Sequence, residues 1–132
     1  MAAEPKTRPT DADVDAYVES IADPRRRDDA RTMKALLEEV SGERAVLWGA
    51  SIVGFGSAEG PTGDWPRIAF SPRKAELVLY AAASQVRDRP ELAERLGAPR
   101  LGSGCIYFKR LDKADPAALR ELAELTLSKS RG

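Results

Sequence analysis

The chain has no histidine and a single cysteine among its 132 residues. Without histidine there is no Ser-His or Cys-His nucleophile pair, and the usual general acid–base group near neutral pH is missing. A structural zinc site takes about four Cys or His ligands, so one thiol excludes it. One cysteine cannot close an internal disulfide, so the expected location is the reducing cytoplasm. Excess charge is absent too. Basic residues number 21 and acidic residues 21, and a neutral chain has no field to gather nucleic acid or an anionic membrane. No apolar run approaches the roughly 20 residues that cross a bilayer. The polar start from Met1 to Pro9 lacks the apolar stretch of a signal peptide. Phosphate-binding glycine loops are also missing: no third glycine opens a helix after Gly54-Phe55-Gly56, and no Gly-Lys-Ser/Thr occurs.

What is present reads as one domain. A chain of this length buries about two thirds of the surface its unfolded form exposes, enough to fold without a metal or disulfide. Residues 1–9 read as a disordered lead-in and residues 10–132 as a single α+β domain. Thr10-Asp11-Ala12-Asp13 has the spacing of a capping box, and Val14, Tyr17, Val18 and Ile21 follow at helical spacing. Asp23-Pro24 is a second cap-then-proline start. The stripe Ala30, Met33, Leu37 and Val40 then runs to Gly42, a left-handed stop.

From Arg44 the period changes to that of strands. Ala45 to Trp48, Ser51 to Phe55, Arg67 to Ser71, Glu76 to Ala82 and Cys105 to Leu111 are short, β-rich and punctuated by glycine and proline. The expectation is a mostly antiparallel sheet of about five strands, packed by two N-terminal helices and one C-terminal helix. Leu77 and Leu79 face one way, Val78 and Tyr80 the other, which makes that strand central. Ser57 to Asp64 reads as a turn-rich connection, Pro90 to Leu96 as a short helix, and Asp115-Pro116 as the start of the C-terminal helix.

Chemistry concentrates in a few places. Arg73-Lys74 and Lys109-Arg110 are basic pairs at strand ends; if their strands are neighbours, they form a basic rim for an anion. Residues 52, 54 and 56 share a face and two of them are glycine, which either permits a bulge or close helix approach, with Trp48, Tyr80 and Tyr107 in the core, or leaves a shallow groove that these aromatics line. Arg25-Arg26-Arg27-Asp28-Asp29 reads as a self-neutralising solvated face. Cys105, in an apolar strand, reads as a small buried hydrophobe. Asp11, Asp13, Asp15 and Glu19 make the first helix acidic, which suits the helix dipole and, on a sharper reading, a hard cation.

The blocks Trp48-Gly49 through Gly56, Gly63-Asp64-Trp65, Phe70-Ser71-Pro72-Arg73-Lys74, Leu96-Gly97, Gly104-Cys105 and Tyr107 through Leu111 with Asp115 resemble the YdhG-like family, a domain of unknown function. The resemblance implies a small cytoplasmic α+β domain and supplies no catalytic residues. One branch of that family is likened to frataxin and described as an iron chaperone, which gives the alternative expectation of an iron-binding protein. Against the family pattern, Ser57 to Thr62 is short and Ser103 stands where a basic residue is usual.

The leading expectation is therefore a non-enzymatic module with no cofactor and no metal. It would bind a small anionic ligand or a protein partner through Trp48, Arg73, Lys74, Tyr107 and Lys109. Neither nucleic acid nor membrane is an expected partner, and the expected state is a monomer or weak homodimer.

Overall fold

The computed structural model describes residues 9–60 and 63–129. Helices α1 (Val14–Glu19) and α2 (Pro24–Ser41) lead into a sheet of strands β1 (Ala45–Trp48), β2 (Ile52–Phe55), β5 (Ile68–Pro72), β6 (Leu77–Tyr80), β7 (Arg100–Leu101) and β8 (Cys105–Phe108). Strands β3 (Ala58–Gly60) and β4 (Gly63–Trp65) form a separate two-stranded hairpin. Helices α3 (Ala83–Arg87) and α4 (Pro90–Arg95) fill the β6–β7 connection, and α5 (Pro116–Lys129) ends the described chain. The large sheet runs β1-β2-β5-β6-β8-β7, with every neighbouring pair antiparallel. This is the expected α+β domain. It has six strands in its main sheet instead of about five, because Arg100–Leu101 adds an edge against Tyr107 and Ile106. Among the described residues there are five helices, because the stretch after Ala82 also turns helical, with Ala83 and Val86 buried.

Helix starts follow side-chain chemistry. Asp23 accepts from the Arg25 amide, Pro24 occupies the first turn, and Gly42 stops α2 at φ 70°. The start of α1 differs from the expected capping box. Its N-cap is Asp13, which accepts from the Ala16 amide. Thr10 instead donates its hydroxyl and its amide to the Leu47 carbonyl, and Pro9 pairs with Trp48. The remainder of the lead-in, residues 1–8, lies outside the described residues.

One face of the sheet carries the core. Leu47, Val53, Phe55, Phe70, Leu77, Leu79, Ile106 and Phe108 point toward Ala30, Met33 and Leu37 of α2 and Ala118, Leu119 and Leu122 of α5. Phe55 and Phe70 stack there with ring centroids 6.3 Å apart. Each such side chain stabilises the fold by about 1.5–3 kcal/mol through removal of apolar area from water. No described helix is long and apolar enough to cross a membrane.

The alternate residues project from the opposite, helix-free face, where functional groups gather. Register places Val46, Gly54, Ala69, Tyr80 and Cys105 in one cross-strand row and Ser71, Val78, Tyr107 and Arg100 in another.

Candidate functional site

Among the described residues no helix packs on this face, yet Val78 is only 1% exposed. Its register neighbours are Ser71 and Tyr107. Arg73 donates from Nη2 to the Tyr80 hydroxyl at 3.0 Å. The Arg100 guanidinium lies 3.9 Å from the Tyr107 ring centroid, a cation–π contact, and also pairs with Glu76 at 2.7 Å. Gly102 makes room for the Tyr107 ring: a Cβ there would stand 3.0 Å from a ring carbon. Cys105 shares this face with Tyr80 and is half-buried, in place of the fully buried position expected for it.

The groove expected over the glycines is filled. A Cβ on Gly54 would stand 2.6 Å from the Trp48 indole and 2.7 Å from Pro66. The glycine is there so that these two groups can close over the strand. Trp48 itself is 2% exposed, so it packs against the sheet and offers no surface to a ligand.

The two basic pairs do lie at one end of the sheet, since Leu77 pairs with Phe108. Arg26 of α2 joins them by donating to the carbonyls of Lys74, Ala75 and Lys109. The four cationic side chains then separate. Arg73 turns onto the helix-free face, whereas Arg110 turns to Asp29 of α2, with Nε 2.9 Å from the carboxylate. Asp29 is 5% exposed and also accepts from the Leu111 amide. Its hydrogen bond raises the pKa of Arg110 above the ordinary value. The run Arg25 to Asp29 is therefore not the solvated face expected of it, because Arg26 and Asp29 tie α2 to the strand ends.

Beside this junction an open cleft of about 580 Å³ lies between β7, the end of β8 and the 3-10 turn Leu111–Lys113. Tyr107, Arg100 and Glu76 line one side, and Lys109, Arg110 and Lys113 lie along the cationic rim. The cleft wall also includes Ala98 at φ 52°, a left-handed conformation that costs a non-glycine residue about 1–2 kcal/mol. Its four basic side chains meet two acidic ones, Glu76 and Asp112. Glu76 is committed to Arg100 and Arg110 to Asp29, while Lys109 and Lys113 have no carboxylate partner among the described residues.

Of the residues expected to bind, the structure brings Tyr107 and Lys109 to the cleft and Arg73 to the neighbouring face. It buries Trp48, and it leaves Lys74 exposed at the β5–β6 turn. Sequence reasoning missed Arg100 and Lys113. Arg100 follows Pro99 in what reads as a loop, and Lys113 sits in a single 3-10 turn, so neither has a periodic pattern to mark its direction.

The acidic first helix is arranged differently. Asp13 caps α1, Asp15 pairs with Lys34, and Glu19 pairs with Arg31 at 2.6 Å, which lowers the Glu19 pKa. Among the described residues no three metal-ligating side chains converge. Comparison with protein-family models, with curated proteins and with solved structures finds no match to this chain.

Proposed function

We propose that this protein is a non-enzymatic cytoplasmic module that takes a small anionic ligand in the cleft between β7, the end of β8 and the Leu111–Lys113 turn. The observation that carries this reading is the pair Lys109 and Lys113, which line the cleft without a carboxylate partner among the described residues. A concave site with apolar walls and a few convergent charges is the form small-molecule sites take. The apolar walls here are Leu96, Pro99 and the Tyr107 ring. Arg100, held by Glu76 and the Tyr107 ring, and Arg110, held by Asp29, are preorganised neighbours that add positive potential at little entropic cost.

Titration of the isotopically labelled chain with inorganic phosphate and with citrate at low salt tests the reading. Saturable resonance shifts are expected at Gly97–Arg100 and Tyr107–Lys113, with affinity falling about tenfold in the double variant K109Q/K113Q. Titration without saturation, or shifts that the double variant leaves unchanged, would refute it. Iron(II) calorimetry separates the frataxin-like alternative, which requires uptake at Asp11, Asp13, Asp15 and Glu19.

A further inference from the structure

A second recess lies on the helix-free face, where Ile52, Trp65, Pro66, Ala69 and Tyr80 line a slot of about 100 Å³ with almost wholly apolar walls. Trp65 borders it at 46% exposure and is the one large hydrophobic side chain among the described residues that is left so open. Elsewhere an apolar cavity of roughly 150 Å³ accepts benzene. This slot is smaller but open on one side, so a single ring can enter with one edge outside. A long alkyl chain would run out of apolar wall.

Tyr80 lines the slot, and its hydroxyl accepts a hydrogen bond from Arg73. Arg73 is the donor in their hydrogen bond, so the hydroxyl hydrogen of Tyr80 is not used in it. Among the described residues that hydrogen meets no acceptor, and Arg73 has no carboxylate partner. Two donors, one of them a guanidinium fork, thus stand together at a residue that lines the slot. A planar carboxylate matches that pair, since a guanidinium binds it in parallel hydrogen bonds. A more highly charged group such as a phosphate would be better served by the four cationic side chains of the cleft.

The geometry points to this slot as a binding site for a small aromatic carboxylate, with the ring in the apolar recess and the carboxylate on the Arg73 guanidinium and the Tyr80 hydroxyl. The slot shares no lining residue with the cleft, so this site stands whether or not the cleft binds anions.

Sodium benzoate titrated into the whole chain is the test, with toluene as the uncharged probe. Benzoate is expected to shift the Trp65 indole N–H resonance saturably, in the millimolar range that so small a ligand permits. Arg73→Gln should weaken benzoate about tenfold and leave toluene unchanged. Ala69→Leu should remove both by filling the slot. If Ala69→Leu does not fold, Tyr80→Phe takes its place: it keeps the ring wall, so benzoate must weaken while toluene does not. Three results would overturn the assignment: shifts centred on Lys109 and Lys113 instead of Trp65, equal loss of both probes in Arg73→Gln, or no saturation by benzoate.

Discussion

Arg26 and Lys109 lie 83 residues apart in the chain, and the Arg26 guanidinium donates a hydrogen bond to the Lys109 carbonyl. The same group reaches the carbonyls of Lys74 and Ala75, so one side chain fixes the spacing between the β5–β6 turn and the end of β8. Both strand ends would otherwise leave carbonyls for water to satisfy.

Arg26→Lys is expected to lower stability by about 1–2 kcal/mol, because an ammonium cannot span three carbonyls and these bonds are partly solvent-exposed. Urea denaturation measures the loss. Anion titration of the same variant should show weaker binding in the cleft, since Lys109 is anchored through its own carbonyl. Full stability with full affinity would show that the three hydrogen bonds contribute nothing.

Gly54→Ala is expected to cost about 1–3 kcal/mol through overpacking. The added Cβ would stand 2.6 Å from the Trp48 indole and 2.7 Å from Pro66, and neither can retreat without opening the sheet face. A shift in Trp48 fluorescence should accompany a lower thermal midpoint. An unaltered midpoint would mean that Trp48 and Pro66 are less tightly held than their packing indicates.

Tyr17 supplies a pH dependence. Burial raises its pKa above the ordinary 10.0, and its hydroxyl lies 3.4 Å from the Ser51 carbonyl. Below the pH at which an unfolded tyrosine ionises, about 10, folded and unfolded forms both hold the proton and stability is undiminished. As pH climbs from there through the raised folded value, the unfolded chain releases its proton first and stability falls. Tyr17→Phe should therefore flatten the alkaline limb of thermal melts recorded between about pH 9 and 11. An identical limb in both proteins would refute it.

Much of the fold was legible because it rests on local signals. Leu77-Val78-Leu79-Tyr80 alternates in the sequence as it does in the sheet, and Asp23-Pro24 with Gly42 brackets α2 at both ends. The site was legible only in part. Asp29 has arginines within its own helix at suitable spacing, and nothing local reveals that its partner is Arg110, 81 residues away. Trp48 and Tyr107 are both aromatic residues in short strands. One is buried because Gly54 lets it lie flat, and the other lines a cleft because the strand beside it is only two residues long. Those outcomes depend on what stands across the sheet, which spacing along the chain does not encode.

The margins of the sheet have a consequence of their own. On the β1 side, Thr10 occupies the Leu47 carbonyl with two hydrogen bonds and Pro9, which has no amide hydrogen, sits opposite Trp48. On the β7 side the strand stops after Arg100 and Leu101. Among the described residues, both borders of the main sheet are thus partly capped or short, which makes that sheet a poor template for strand-to-strand polymerisation. Concentrated solutions should stay clear of fibrils as long as the main sheet keeps its shape.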